Sequence, residues 1–282
     1  MSDILSDSKL EDFIKTQLTY NISVIGFSDA FRQDFIKMLD SLEVVKFRRK
    51  YAQELDSVYE KGFHGHLAQQ YFKKYIFPTI PNANTILDFG CGSGNLCFNL
   101  SKEKLGSHII GIDIVESELW DHYRSHSLTY RAFKPEQLAD ILEEISPDVF
   151  ISTWVLHHLT LDEQASLFSV LSSLSRKPQL VIIEDAYSDK INPLFWPSIM
   201  TPFNEFSPKN KLRVMYAFDW IANVVWSGRY SIHMANTNKT LEQWQDFIER
   251  YGFNLRMTHY IGVPPLRDIH NPQCLMVFDW VG

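Results

Sequence analysis

The sequence is short of several things, and each shortage removes a class of protein. Three cysteines occur among 282 residues, Cys91, Cys97 and Cys274. Odd in number and without CxxC spacing, they exclude a disulfide framework and a zinc knuckle, and reduced, packed thiols are expected. No stretch approaches the roughly eighteen consecutive apolar residues of a membrane span, so no membrane partner is expected. The opening Met1-Ser2-Asp3-Ile4-Leu5-Ser6-Asp7 is acidic where a secretory leader needs a basic start and an apolar run, which makes a cytoplasmic location the expectation. Positive charge is in deficit: 27 Lys and Arg stand against 34 Asp and Glu, a formal charge of -7 that repels a phosphate backbone and argues against nucleic acid. Repeats and low-complexity linkers are also missing.

What is present is a globular chain able to bury a large core, with 45% hydrophobic and 22% charged residues. Residues 1–76 read as a helical cap: Ser8-x-x-Glu11 is a capping box, and Phe31, Phe35, Met38, Leu39, Leu42 and Val45 recur at helical spacing until Gly62 and Gly65 interrupt the pattern. From Thr85 the texture changes to short apolar runs between helical segments, at Thr85 to Phe89, His108 to Ile114, Ser127 to Phe133, Asp148 to Trp154 and Leu180 to Glu184. Such alternation describes buried parallel strands of a doubly wound α/β sheet. Thr160-x-x-Glu163 and Thr240-x-x-Gln243 each open a further helix. Residues 187–235 form an insertion with ten aromatics between Tyr187 and Tyr230, including a helix begun by Ser207-Pro208, and read as a helical lid. Residues 236–282 complete the core that begins at 77–186, with a late helix and two strands near Leu255 to Ile261 and Cys274 to Trp280.

The sharpest chemical signal is Ile86-Leu87-Asp88-Phe89-Gly90-Cys91-Gly92-Ser93-Gly94, a strand running through a glycine-rich turn into a helix from Asn95. A turn of this kind lets backbone approach a ligand and aims helix-start N–H groups at it. The glycines stand as GxGxG, and Asn95 occupies the place where the dinucleotide form GxGxxG needs glycine, which tilts the reading away from NAD. Asp113 ends the next strand, where an acid accepts hydrogen bonds from ribose hydroxyls.

With Asp148-Val149-Phe150-Ile151-Ser152, Val155-Leu156-His157-His158-Leu159, Val181-Ile182-Ile183-Glu184-Asp185 and the late helix ending in Gly252-Phe253, these segments resemble the successive motifs of class I S-adenosylmethionine-dependent methyltransferases. The resemblance implies a Rossmann-like seven-stranded sheet whose last strand is antiparallel, with S-adenosyl-L-methionine as cofactor. It puts Asp88, Gly90, Gly92 and Gly94 around the methionine part, Asp113 on the ribose, and Ser152 and Thr153 under the amino-acid tail and the transferred methyl. Many members place an Asp after the third strand for the adenine amino group. The stretch here is Tyr130-Arg131-Ala132-Phe133-Lys134, so backbone groups and Phe133 are expected to hold adenine instead.

The acceptor implied is O or N of a small, partly aromatic or apolar molecule. The alternatives are a cofactor-binding regulatory module of the same fold, or transfer of another group from the sulfonium. His233, between the lid and the late helix, is the candidate general base. His157, Glu184, Tyr216 and Trp220 are candidate substrate contacts. Glu184 and Asp185, with Asp148, raise the question of a divalent metal, but Asp185 is followed by Ala186 rather than by the Asp-Asn pair of catechol-type relatives. His64-x-His66 lacks a third ligand, and no metal is expected. Tyr51, Tyr59 and Phe63 would close over the cofactor or pack the N-terminal helices, which in such enzymes cap the site or pair two subunits into a homodimer.

Overall fold

The computed structural model describes residue 4 and residues 7–64, 69–191, 198–230, 232–263 and 271–281, without the side chains of residues 60–64, 198 and 199. The chain forms two compact units, one comprising Met1–Leu67, Lys190–Met234 and Ile261–Gln273, the other Ala68–Asp189, Ala235–Tyr260 and Cys274–Gly282.

The second unit is built on seven strands: β1 Ala83–Phe89, β2 Gly106–Asp113, β3 Leu128–Ala132, β4 Val149–Thr153, β5 Gln179–Asp185, β6 Phe253–Gly262 and β7 Gln273–Trp280. They lie in the order β3-β2-β1-β4-β5-β7-β6, a mixed sheet with the last strand antiparallel, as expected. The five first strands are parallel, with Asp88 beside Gly111 on one side and Ile151 on the other, and Ser152 beside Ile182. Strands buried on both faces need continuous apolar runs, and β4, β5 and β7 have them, while the buried half of β1 is broken only by Asp88. The helices Leu161–Ser173 and Leu241–Glu249 start at the two predicted capping boxes, with reciprocal bonds from Thr160 and Glu163 and from Thr240 and Gln243. Their apolar stripes enter a core with Phe150, Phe168, Trp244 and Phe278. Strand order reverses between β1 and β4, which opens the crevice at the carboxyl ends of these strands where doubly wound sheets bind ligands.

The other unit is helical. Helix Ser8–Ile25 is capped not by the predicted Ser8 but by Asp7, whose carboxylate accepts from the N–H groups of Lys9 and Leu10; Glu11 pairs instead with Lys15. Helix Asp29–Ser41 follows, capped by Ser28. Gly62 does not interrupt the chain, because helical hydrogen bonding of the wider π type continues from Leu55 to His64. Ser207 and Pro208 begin the helix Pro208–Trp220 as expected, and it runs on as a π-helix to Trp226. Trp226 stacks on Phe35 at 5.1 Å and Phe27 at 5.7 Å, so part of the predicted lid shares an aromatic core with the N-terminal helices. Tyr51 and Tyr59 are buried in that core. No described helix is long and apolar enough to cross a membrane.

Candidate functional site

The glycine turn follows β1 directly. Gly90, Gly92 and Gly94 all take positive φ, +71°, +53° and +84°, the left-handed region that side chains disfavour. Space is equally restrictive: a Cβ on Gly90 would stand 2.5 Å from Val155 Cγ2, and one on Gly94 2.5 Å from the Tyr130 hydroxyl. The turn is tied to β2 through Gly90 and Cys91 N–H bonds to the Ile112 carbonyl. Asp113, at the end of β2, accepts from Gly92 N–H at 2.8 Å and Val115 N–H at 3.1 Å. The glycine turn and the ribose-type acid thus form one hydrogen-bonded body, which their separation in sequence did not reveal.

Asp88 is 1% exposed and lies at the end of the same strand. Its Oδ2 accepts from the Cys97 thiol at 3.2 Å. Burial pushes its carboxyl up to about 7; the thiol bond opposes this and the nearby charge of Asp113 adds to it. Its Oδ1, and the Oγ of Ser152 on neighbouring β4, are buried with no hydrogen-bond partner among the described residues. Orphaned buried polar atoms are costly, and two of them in a crevice beside a glycine turn suit a ligand carrying a cation and hydrogen-bonding groups. The residues present therefore fit S-adenosylmethionine, whose ammonium and hydroxyls could satisfy them.

The remaining candidates are placed as follows. Thr153 is half-buried, and Trp154 after it has φ +56°, a strained conformation for a bulky residue that sequence reading missed. The Phe133 ring is buried in the core beside Phe89, whereas Ile114 and Val115, which follow Asp113, are 63% and 67% exposed and offer apolar side chains at that edge. Glu184 is fully engaged by the protein: Oε1 accepts from Val155 N–H at 3.1 Å and Leu156 N–H at 2.7 Å, while Oε2 lies 2.5 Å from His157 Nδ1. Since that carboxylate already accepts two N–H bonds, the facing imidazole nitrogen is its third donor.

The His157 loop is held from its other side as well. The Thr237 hydroxyl reaches the carbonyls of Leu159 and His157, and Gln164 Nε2 donates to Leu156 O and to Thr237 Oγ1. Lys239 donates to Gln164 Oε1, with its ammonium 4.2 Å from the Trp244 ring; burial lowers its pKa to about 8 although Glu184 acts to raise it. Asp148 does not join Glu184 and Asp185. It precedes β4, at the opposite end of the strand, and binds Asn84 N–H, Thr85 N–H and Arg176.

Tyr216, Trp220 and His233 belong to the helical unit. Tyr216 and Trp220, four residues apart on one helix, are half-buried, and the face beside them buries Val214, Phe218 and Asp219. His233 is exposed. His66, Phe195 and Trp196, and the side chains of Phe63 and His64, lie outside the described residues.

A mixed seven-stranded sheet of this order, with a glycine turn after β1 and an acid ending β2, defines the class I methyltransferase fold. Residues 80–211, just under half of the chain, match the family described as "Methyltransferase domain". Among solved structures, the chain is similar to an O-methyltransferase family protein from Burkholderia thailandensis, with 12% identity and a TM-score of 0.50 over 83% of this chain and 62% of that one. It is also similar to an S-adenosylmethionine-dependent methyltransferase from Archaeoglobus fulgidus, with 14% identity and a TM-score of 0.49 over 76% and 94% of the two chains. A third is the Burkholderia thailandensis 1,6-didemethyltoxoflavin-N1-methyltransferase with bound 1,6-didemethyltoxoflavin and S-adenosylhomocysteine, with 13% identity and a TM-score of 0.47 over 83% and 90%. No curated protein matches the sequence.

Proposed function

We propose that this chain transfers a methyl group from S-adenosylmethionine to O or N of a small, partly aromatic molecule. The observation that carries the reading is the pair of unsatisfied buried atoms, Asp88 Oδ1 and Ser152 Oγ, beside the glycine turn. When bound, the cofactor supplies an electrophilic methyl on a positively charged sulfur. The protein's part is then to position and desolvate, since in-line displacement needs alignment more than covalent help. Asp88, Ser152 and Thr153 hold the methionine end against Gly90, Gly92 and Gly94. Asp113 holds the ribose, and Ile114 provides the apolar edge for adenine in place of the core-buried Phe133. His157, oriented by Glu184, borders the crevice. The net negative charge supports an uncharged or cationic acceptor.

The reading is tested with methyl-labelled S-adenosylmethionine against a panel of phenols, aromatic amines and carboxylates. Label passing to a phenol or amine supports it; no transfer despite tight cofactor binding makes the chain a regulatory module. Asp113→Ala is expected to weaken binding of S-adenosylhomocysteine by about 1–3 kcal/mol, the scale of a lost charged acceptor. Unchanged affinity in titration calorimetry removes the ribose assignment. We further propose His233 as the base for an acceptor that carries a proton. Its imidazole is exposed, and His233→Ala should lower turnover by roughly 100-fold at unaltered cofactor affinity. Full turnover in the variant ends that role.

A further inference from the structure

Two aromatic residues that the methyltransferase reading does not use are fastened to the glycine turn. Trp120, from the short helical segment Glu118–Asp121 after β2, donates its indole N–H to the Gly92 carbonyl at 2.9 Å. Tyr130, on β3, donates its hydroxyl to the Gly94 carbonyl at 2.9 Å. The two rings lie flat on each other, 5.2 Å between centroids and 7° from parallel. Trp120 is 8% exposed, and burial raises the pKa of the Tyr130 hydroxyl, so it stays protonated as a donor.

Gly92 gives its N–H to Asp113 and its carbonyl to Trp120, so both polar groups of one residue are fixed by side chains. Tyr130 also explains two glycines. A Cβ on Gly94 would meet its hydroxyl at 2.5 Å, and one on Gly111 would meet its ring at 2.8 Å. Gly94 is therefore required by a neighbouring ring as well as by its own positive φ. A turn with three residues at positive φ is costly to hold and has little reason to keep one shape unaided. Two directed hydrogen bonds from a rigid stacked pair supply that shape before any ligand arrives, and ordering a site in advance is repaid as affinity.

We propose that Trp120 and Tyr130 are positioning residues that set cofactor affinity by holding the glycine turn and Asp113 in binding geometry without touching the transferred group. The proposal rests on S-adenosylmethionine being the cofactor. Trp120→Phe and Tyr130→Phe each remove one donor and keep a ring, which preserves the stack and the fold. Both are measured in the full chain by titration calorimetry with S-adenosylhomocysteine, alongside thermal melting and turnover with any acceptor found.

The expected result is a five- to thirty-fold rise in Kd for each variant, with kcat at saturating cofactor within twofold of the parent. In the double variant the loss is smaller than the product of the two, because the donors act on one turn. Variants that melt lower yet bind as tightly as the parent overturn the clamp and leave a structural role. A kcat loss without a Kd change overturns it as well. A parent protein that binds no S-adenosylhomocysteine overturns the cofactor reading and this proposal with it, an outcome distinct from tight binding by parent and variants alike.

Discussion

Asp88→Asn is expected to stabilise the folded protein at pH 8 while weakening its hold on S-adenosylmethionine. The Asp88 carboxyl is pushed up to about 7 in the fold, chiefly by desolvation, against 3.8 for a free aspartate side chain. Between about pH 4 and pH 7 the unfolded chain has therefore released a proton that the folded chain retains. Stability falls as pH rises through that window and levels off above it. A shift of this size corresponds to roughly 4 kcal/mol lost by the parent at pH 8. Asparagine has no charge to desolvate and keeps an oxygen for the Cys97 thiol, but its amide donor lacks an acceptor where Oδ1 now stands, at a cost of about 1–3 kcal/mol. The balance favours the variant by about 1–3 kcal/mol at pH 8, a few degrees in Tm for a chain of this size. The advantage should vanish or reverse near pH 4, where the parent is protonated.

If Asp88 holds the methionine end as proposed, the same substitution removes a charged acceptor for the cofactor's ammonium, and Kd for S-adenosylmethionine should rise by about tenfold or more. Melting curves from pH 4 to 8, with calorimetric titration at pH 8, test both halves. A parent whose stability is flat across that range, or a variant less stable at pH 8, would show that Asp88 is not held as an unsatisfied buried acid. A gain in stability with a loss of binding is the pattern of a residue kept for function at the expense of the fold.

How far the site can be read from sequence depends on how local each interaction is. The buried strands were legible because runs such as Val149-Phe150-Ile151 and Leu180-Val181-Ile182-Ile183 are uninterrupted by polar residues. The glycine turn was legible because strand, turn and helix start are contiguous, and Asp113 because it ends the next strand. Trp120 and Tyr130 were not, since they reach Gly92 and Gly94 from 28 and 36 positions away and nothing in their neighbourhood marks them as donors. Asp7 displaced Ser8 as helix cap because the two are adjacent and equally suited, a choice made by backbone geometry alone. Trp154 gave no signal either, because positive φ is announced by glycine or asparagine and not by tryptophan. His157 and Glu184 were both expected at the crevice, but their contact depends on the register of β4 against β5, which sequence does not print.

That contact is where the largest loss of stability is expected. His157 and Glu184 are 1% and 0% exposed, and the carboxylate gathers three N–H donors: two from the backbone at Val155 and Leu156 and one from the imidazole. Glu184→Ala leaves all three without their acceptor. Removing one partner of a buried pair costs about 3–5 kcal/mol, which for a chain of this size lowers Tm by roughly 6–20 °C. Glu184→Gln keeps an oxygen for the two backbone donors and loses only the charge toward His157, so its cost should be less than half as large. His157→Ala in the parent and in Glu184→Ala closes a cycle in which the two losses should fall short of additive by more than 1 kcal/mol. If Glu184→Ala melts within 2 °C of the parent, the carboxylate does not organise this loop. If instead Glu184→Gln leaves Tm unchanged but raises the acceptor KM, Glu184 contacts the acceptor and is more than the support of His157.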